Sequence, residues 1–458
     1  MKSSYKNDFR ALLGWGLYDW ANSVFGTTVL AALLPIYFAG VIVPEGGVSY
    51  FGHTFGAESL WGFLRGGGAF MLFMLTPLLG AVADFSAAKR RFLGAFAFGG
   101  SVVGSLLVFV STGDVAATML LFMVANMGLV GSTVFYDGFL PDLTTPDTID
   151  KWSARGFALG YAAGGIHLVL SLVLMSRYES LGLTYDTAVR IAIGSAALWW
   201  AAFTFVSLRM LPETGVPRPL PSSMANMSPL VAYARIGIAR TVGTARRLID
   251  FPQLLLFVVA FMIYNDGISS FNGLASVYAG ETLQMSQQSV VLMFLCAQLF
   301  AFPGALLFGW LAGKTSTKRA ILISLAGWTV VSVGAYRLGA GDVAPFIAFG
   351  ALAGLVQGGS VALSRSLYGS MIPEAASAEF FGFFSVFSKF SSIWGPLLFA
   401  FVSQTTGSSR LAILSIGSMF LIGGLLLAAV DVDEARASRL RWGFDQTLAP
   451  APASSRTE

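Results

Sequence analysis

Twelve apolar runs, each close to or longer than the twenty or so residues a helix needs to cross a bilayer, take up most of this sequence. They fall at about 12–41, 60–83, 92–112, 116–140, 156–176 and 188–210, then at 253–279, 288–312, 319–338, 343–370, 379–402 and 411–430. Charged residues make up only 11% of the chain and mean hydropathy is +0.72, whereas ordinary globular domains are about 25% charged. A soluble multidomain enzyme is thereby excluded. The first run follows a short polar start and is too long for a signal-peptide core, so it reads as an uncleaved first span. Cys296 is the sole cysteine, which rules out an intrachain disulfide or a cysteine metal cluster. His53 and His167 are too few for an imidazole metal site. The sequence has no Walker loop and no nucleophile–base motif, so no cofactor, ATP-driven step or hydrolytic activity is expected.

The basic residues orient the runs. A path through twelve spans places 21 of the 28 Lys and Arg residues on one side and 5 on the other, with Arg365 and Lys389 inside spans. Because basic loops stay in the cytoplasm, both termini and the central loop are expected there. The net charge of +4 therefore reports topology and gives no support for a nucleic-acid partner.

The chain also repeats. Gly80 to Arg90 (GAVADFSAAKR) aligns with Gly309 to Arg319 (GWLAGKTSTKR) at an offset of 229 residues. Tyr136 with Pro141-Asp142 matches Tyr368 with Pro373-Glu374 at 232, and Gly156-Phe157 matches Gly382-Phe383 at 226. A nearly constant offset describes two parallel six-helix halves. The expected organisation is an N-terminal bundle at 1–211, a linker at 212–250, a C-terminal bundle at 251–435 and a disordered tail at 436–458. Residues 230–250 mix apolar positions with Arg235, Arg240, Arg246 and Arg247. That pattern fits an amphipathic helix on the cytoplasmic leaflet or a solvated basic linker.

Gly80-x-x-x-Asp84 followed by Lys89-Arg90-Arg91 resembles the signature loop of the major facilitator superfamily, which implies an all-α fold of twelve transmembrane helices in two pseudo-symmetric bundles. In that superfamily the acid docks near the N-terminus of helix 11, where the helix dipole favours a carboxylate. The second-half copy has Gly313 in place of the acid, so the latch is expected at Asp84 alone. Five ionisable residues lie inside spans: Asp19, Asp137, Asp266, Arg365 and Lys389. Facing lipid, each would cost at least about 2.5 kcal/mol, so they should face protein or a water-filled cavity. Four of the five fall on spans 1, 4, 7 and 10, which line the central cavity in the facilitator arrangement. Asn22, Asn265 and Gln357 extend polar seams on the same helices. At about 1.5 Å per residue, Asp266 and Lys389 lie near mid-membrane, with Asp19, Asp137 and Arg365 nearer the cytoplasmic end. The expected substrate or proton site is Asp19, Asn22, Asn265, Asp266, Lys389 and Gln357. The expected gate is Asp84, Arg90, Asp137 and Arg365, with Asp137 and Arg365 placed to form a breakable ion pair. Gly156, Gly160 and Gly164 form a close-packing stripe, and His167 reads as a hydrogen-bonded packing residue.

The strings YDWANS (18–23), RGFALGY (155–161), YNDG (264–267), LSRSLYGSMIPE (363–374) and AEFFGFFSVFSKF (378–390) resemble the bacterial facilitators related to the fungal autophagy-linked vacuolar amino-acid effluxers. The resemblance implies a bacterial inner-membrane transporter, working as a monomer, that exports or exchanges amino acids or similar small polar solutes. Its partners would be the solute, protons where transport is coupled, and the lipid bilayer. Two other readings stand beside it: a lipid or lysolipid flippase, and a non-transporting membrane sensor that signals through the 212–250 loop.

Overall fold

The computed structural model describes residues 5–441 except 51, 216, 218, 219, 222, 223, 225 and 226, and omits the side chains at 50, 58, 59, 62, 63, 65–74, 229, 230, 247, 277, 281, 287 and 288. Twelve long helices follow one another. Spans 1 to 6 are Phe9–Ile42, Ala57–Ser86, Lys89–Phe109, Val115–Leu143, Ile149–Ser176 and Tyr185–Met210. A linker helix, Pro229–Arg247, follows. Spans 7 to 10 are Pro252–Val277, Gln287–Lys314, Thr317–Arg337 and Val343–Met371. Span 11 comes in two pieces, Ser377–Phe390 and Trp394–Thr406, and span 12 is Ser409–Ala429. Eleven of these are long and apolar enough to cross a bilayer, and span 2 is apolar over Leu75–Ser86. A short helix, Val432–Ser438, runs into the segment assigned to the tail. The rest of that tail, 442–458, lies outside the described residues.

Two apolar clusters organise the bundle. One gathers side chains from Ala11 to Leu211 and the other from Leu248 to Ala435. Ala378 is the exception, a span 11 residue buried in the first cluster. Lipid offers no hydrophobic drive between helices, so close approach of small residues has to supply the contact. A Cβ on Gly80 would fall 2.3 Å from the Ala378 carbonyl oxygen, and one on Gly382 would fall 2.7 Å from the Pro77 Cα. Spans 2 and 11 therefore meet backbone to backbone. The end of the bundle holding this contact, the first and last described residues and the linker helix is called the basic face below.

Several helices depart from the regular form expected, and span 7 runs on into a π-helical turn at Tyr278–Thr282. Span 1 is π-helical over Phe25–Leu33 and Phe38–Ile42, a local widening often found at functional positions. Span 11 breaks at residues 391–393. Pro396 has no N–H to donate to the carbonyl of Ser392, four residues back, so the helical ladder fails there. Asp266 of span 7 fills the gap, accepting hydrogen bonds from the N–H groups of Trp394 at 2.9 Å and Gly395 at 3.0 Å and from the Ser270 hydroxyl at 2.9 Å.

Candidate functional site

Arg365 projects from span 10 in the second half and ends among side chains of the first. Its Nη1 lies 3.0 Å from Asp137 Oδ1 and 3.5 Å from Asp19 Oδ2. Its Nε donates to Ser153 Oγ and its Nη2 to the Ser153 carbonyl, both at 3.0 Å. The guanidinium also packs over the rings of Phe157 at 4.0 Å and Trp15 at 4.9 Å, where the aromatic faces favour a cation. Tyr136 donates its hydroxyl to Asp19 Oδ2 at 2.6 Å, and Trp15 donates its indole N–H to the Tyr136 carbonyl at 2.9 Å. Gly156 makes this arrangement possible. A Cβ there would come within 2.8 Å of Asp19 Oδ2, Trp15 Cζ3 and the Tyr136 hydroxyl. One turn further on, Gly160 and Gly164 bring span 5 against Ser23 and Thr27 of span 1.

One cation thus faces two carboxylates in a buried site. Arg365 is 3% exposed and Asp19 7%. The two acids come from one half and the guanidinium from the other, so separating the halves here dismantles the cluster.

A second cluster closes the basic face between spans 2, 4 and 11. Asp84 Oδ2 accepts the backbone N–H of Glu379 at 2.8 Å, in the first turn of span 11, and its Oδ1 lies 3.1 Å from Lys89 Nζ. Lys89 also reaches Asp142 at 2.8 Å and donates to Ser377 Oγ at 2.6 Å. Ser377 in turn donates to the Gly138 carbonyl at 2.7 Å. The Glu379 carboxylate turns the other way, to the linker helix. It accepts from Arg240 Nε and Nη2 at 3.1 and 2.9 Å, and from the Thr244 hydroxyl. Beside this cluster Glu213, in the linker, accepts the Arg90 N–H at 3.1 Å, and burial pushes its carboxyl up to about 7. In the other pair of halves' contacts, Asp150 of span 5 accepts from Thr317 of span 9 and Ser366 of span 10, both at 2.6 Å.

The residues singled out from sequence are sorted differently by the fold. Asp137 and Arg365 form the ion pair, and Asp19 joins them instead of Asp266 and Lys389. Asp266 lies at the break in span 11, with Asn265 beside it donating to Ser391 Oγ at 2.5 Å. Lys389 is exposed in the last turn before that break. Gln357 accepts from Asn272 at 2.9 Å, and Asn22 is buried next to Ser23. Arg90 is exposed, and Lys89 is the buried member of the basic run. His167 lies within hydrogen-bonding distance of Thr28 at 3.1 Å and Ser195 at 3.2 Å. Sequence reasoning missed Tyr136, Ser153, Glu379 and Arg240. Glu379 was within reach, because it stands 229 residues after Asp150, the same offset as the signature repeat.

The profile of the family described as "Vacuole effluxer Atg22 like" matches residues 7–439. An uncharacterised MFS-type transporter of Bacillus subtilis (strain 168), YxiO, is 31% identical over 424 residues, covering 91% of this chain and 94% of that protein. Autophagy-related protein 22-1 of Phaeosphaeria nodorum is 24% identical over 517 residues, covering 93% and 91%. Among solved structures, the proton:xylose symporter XylE superposes with a TM-score of 0.68 at 15% identity, covering 96% of this chain and 100% of that one. The fucose:proton symporter FucP superposes at 0.64 and 11%, covering 92% and 98%. The fold is that of the major facilitator superfamily, the protein is a transporter and not an enzyme, and the chain belongs to the Atg22-like vacuole effluxer family.

Proposed function

We propose that this transporter moves a small zwitterionic solute, an amino acid or a close analogue, out of a bacterial cytoplasm across the inner membrane, coupled to protons. The basic face is cytoplasmic in this reading, and the two halves rock about the Asp19–Asp137–Arg365 cluster. The observation that carries it is the charge count there: one guanidinium against two carboxylates, Asp19 buried and Asp137 half-buried. An uncompensated carboxylate in a dry site is costly, and either a proton or a substrate ammonium removes the excess. The family's description as a vacuole effluxer supports transport of a solute.

Reconstitution in vesicles tests this. Labelled amino acids should be taken up or exchanged faster when a pH gradient is imposed. Asp137→Asn should remove the pH response while counterflow persists, and wild-type pH dependence in both Asp19→Asn and Asp137→Asn would sink the coupling.

One observation favours a second reading, lysolipid flipping. An apolar pocket in the second half is walled by Phe271, Met293, Phe346 and Phe349, with the Asn272–Gln357 pair as its polar part. Movement of labelled lysolipids without movement of amino acids in the same vesicles would select it.

A further inference from the structure

The linker helix has two faces, and among the described residues only the inner one is packed against the rest of the chain. On the inner face Ala232, Ile236, Arg240 and Thr244 recur every four residues and are all buried. Ile236 and Ala232 pack with Phe85 and Met224. Gly237 lies so close to Leu78 and Val82 of span 2 that a Cβ would fall 2.5 and 2.8 Å from them. Arg240 and Thr244 hold Glu379 of span 11. The helix therefore grips span 2 with apolar contacts and span 11 with a buried ion pair, across the seam that must part for the basic face to open.

The outer face carries Val231, Arg235, Ile238, Val242 and Arg246 on one stripe at spacings of three and four residues, and Ile249 in the turn after the helix continues it. Its four aliphatic side chains are 43–71% exposed, and both arginines are exposed. The helix contains no acidic residue. Leu78 lies eight residues before the end of span 2, which is roughly 12 Å along the helix axis. With the bilayer boundary set at the end of span 2, the linker helix lies beside the span at the level where acyl chains meet headgroups, the level at which amphipathic helices bury an apolar stripe. A soluble partner would have to reach below the headgroups to cover this face.

We propose that the outer stripe is a docking surface for anionic phospholipid of the leaflet at the basic face, with Arg235 and Arg246 on the headgroups, and that this lipid holds the linker helix as a clamp over the span 2–span 11 seam. Lipid bound only in the clamped state shifts the protein toward that state by the same free energy. Each arginine near an anionic surface contributes roughly fivefold to that equilibrium, and the two together roughly thirtyfold.

The test is amide hydrogen exchange of the full chain in nanodiscs of phosphatidylcholine alone or mixed with phosphatidylglycerol. Residues 229–247 should exchange up to roughly thirtyfold more slowly in the anionic discs, and the start of span 11 should slow with them. In R235Q/R246Q, whose changes are on the surface and leave the core intact, exchange should no longer depend on lipid. In Arg240→Gln the linker helix should still respond to lipid while the start of span 11 should not. Equal wild-type exchange in both discs overturns the proposal and leaves the stripe to a soluble partner. A lipid response that survives in R235Q/R246Q, or a span 11 response that survives in Arg240→Gln, overturns it as well.

Discussion

At the scale of single residues, Arg365 sets the energetics of the central cluster. Either Asp19→Asn or Asp137→Asn leaves the guanidinium one carboxylate and removes the excess negative charge, so each should change stability little. The double variant strands a buried cation and should cost about 3–5 kcal/mol, read as a fall in the thermal unfolding temperature of purified protein well beyond the sum of the singles. Gly156→Val should also be destabilising, though less so and for a different reason, since its side chain would overlap Asp19, Trp15 and Tyr136. About 1–3 kcal/mol of overpacking is expected, together with loss of transport. Glu213 offers a pH signature. Its carboxyl titrates at about 7 in the folded protein and near the ordinary value of about 4.3 when unfolded. Between those values the folded state holds the extra proton, so this group's contribution to stability falls as pH rises through the window and is level above it. Unfolding temperatures between pH 5 and pH 8 should therefore drop less in Glu213→Gln than in the wild type. The central residues were partly legible because a charge inside an apolar run needs a partner, which is how Asp19, Asp137 and Arg365 stood out. Tyr136 and Ser153 did not stand out, since a tyrosine or serine in a membrane helix is unremarkable until its hydroxyl is seen on an ion.

At the scale of elements, the break in span 11 is the informative departure. The run at 379–402 reads as one continuous helix in hydropathy, and Pro396 alone does not announce a break, because Pro77, Pro141 and Pro303 sit inside intact helices. What distinguishes Pro396 is Asp266 on a neighbouring helix, which takes over the amides of the second piece. Asp266→Ala should remove this cap and cost about 1–2 kcal/mol, while Asp266→Asn, which keeps one acceptor oxygen, should cost less. Thermal unfolding of the two variants side by side would check the order. The linker helix was half legible. Its amphipathic pattern was visible, but the target of its inner face, Glu379, is 139 residues away from Arg240 and belongs to the other half.

At the scale of the whole molecule, the hydrogen bonds and ion pairs that join the halves gather toward the basic face, at Asp84–Glu379, Lys89–Ser377, Asp150–Ser366 and Arg365–Asp137. If transport requires that face to open, a disulfide across it should stop turnover. Cysteines replacing Gly138 and Ala378, in a chain with Cys296→Ser, bring their Cβ atoms 3.1 Å apart, a few tenths of an ångström closer than the roughly 3.5 Å at which a disulfide forms, so a small separation of the two helices lets the bond close. Transport should fall to background on oxidation and return with reductant, and unchanged transport in the cross-linked protein would exclude such an opening. The sequence by itself determined the class, the number of spans, the twofold repeat and which charges lie inside the apolar runs. These follow from the solvent, since a bilayer admits only long apolar helices and tolerates charge only where protein or water receives it. Only the tertiary structure decided which charges meet. Asp19 and Arg365 are 346 residues apart, and their meeting depends on how two rigid bundles approach one another, which no local pattern along the chain encodes.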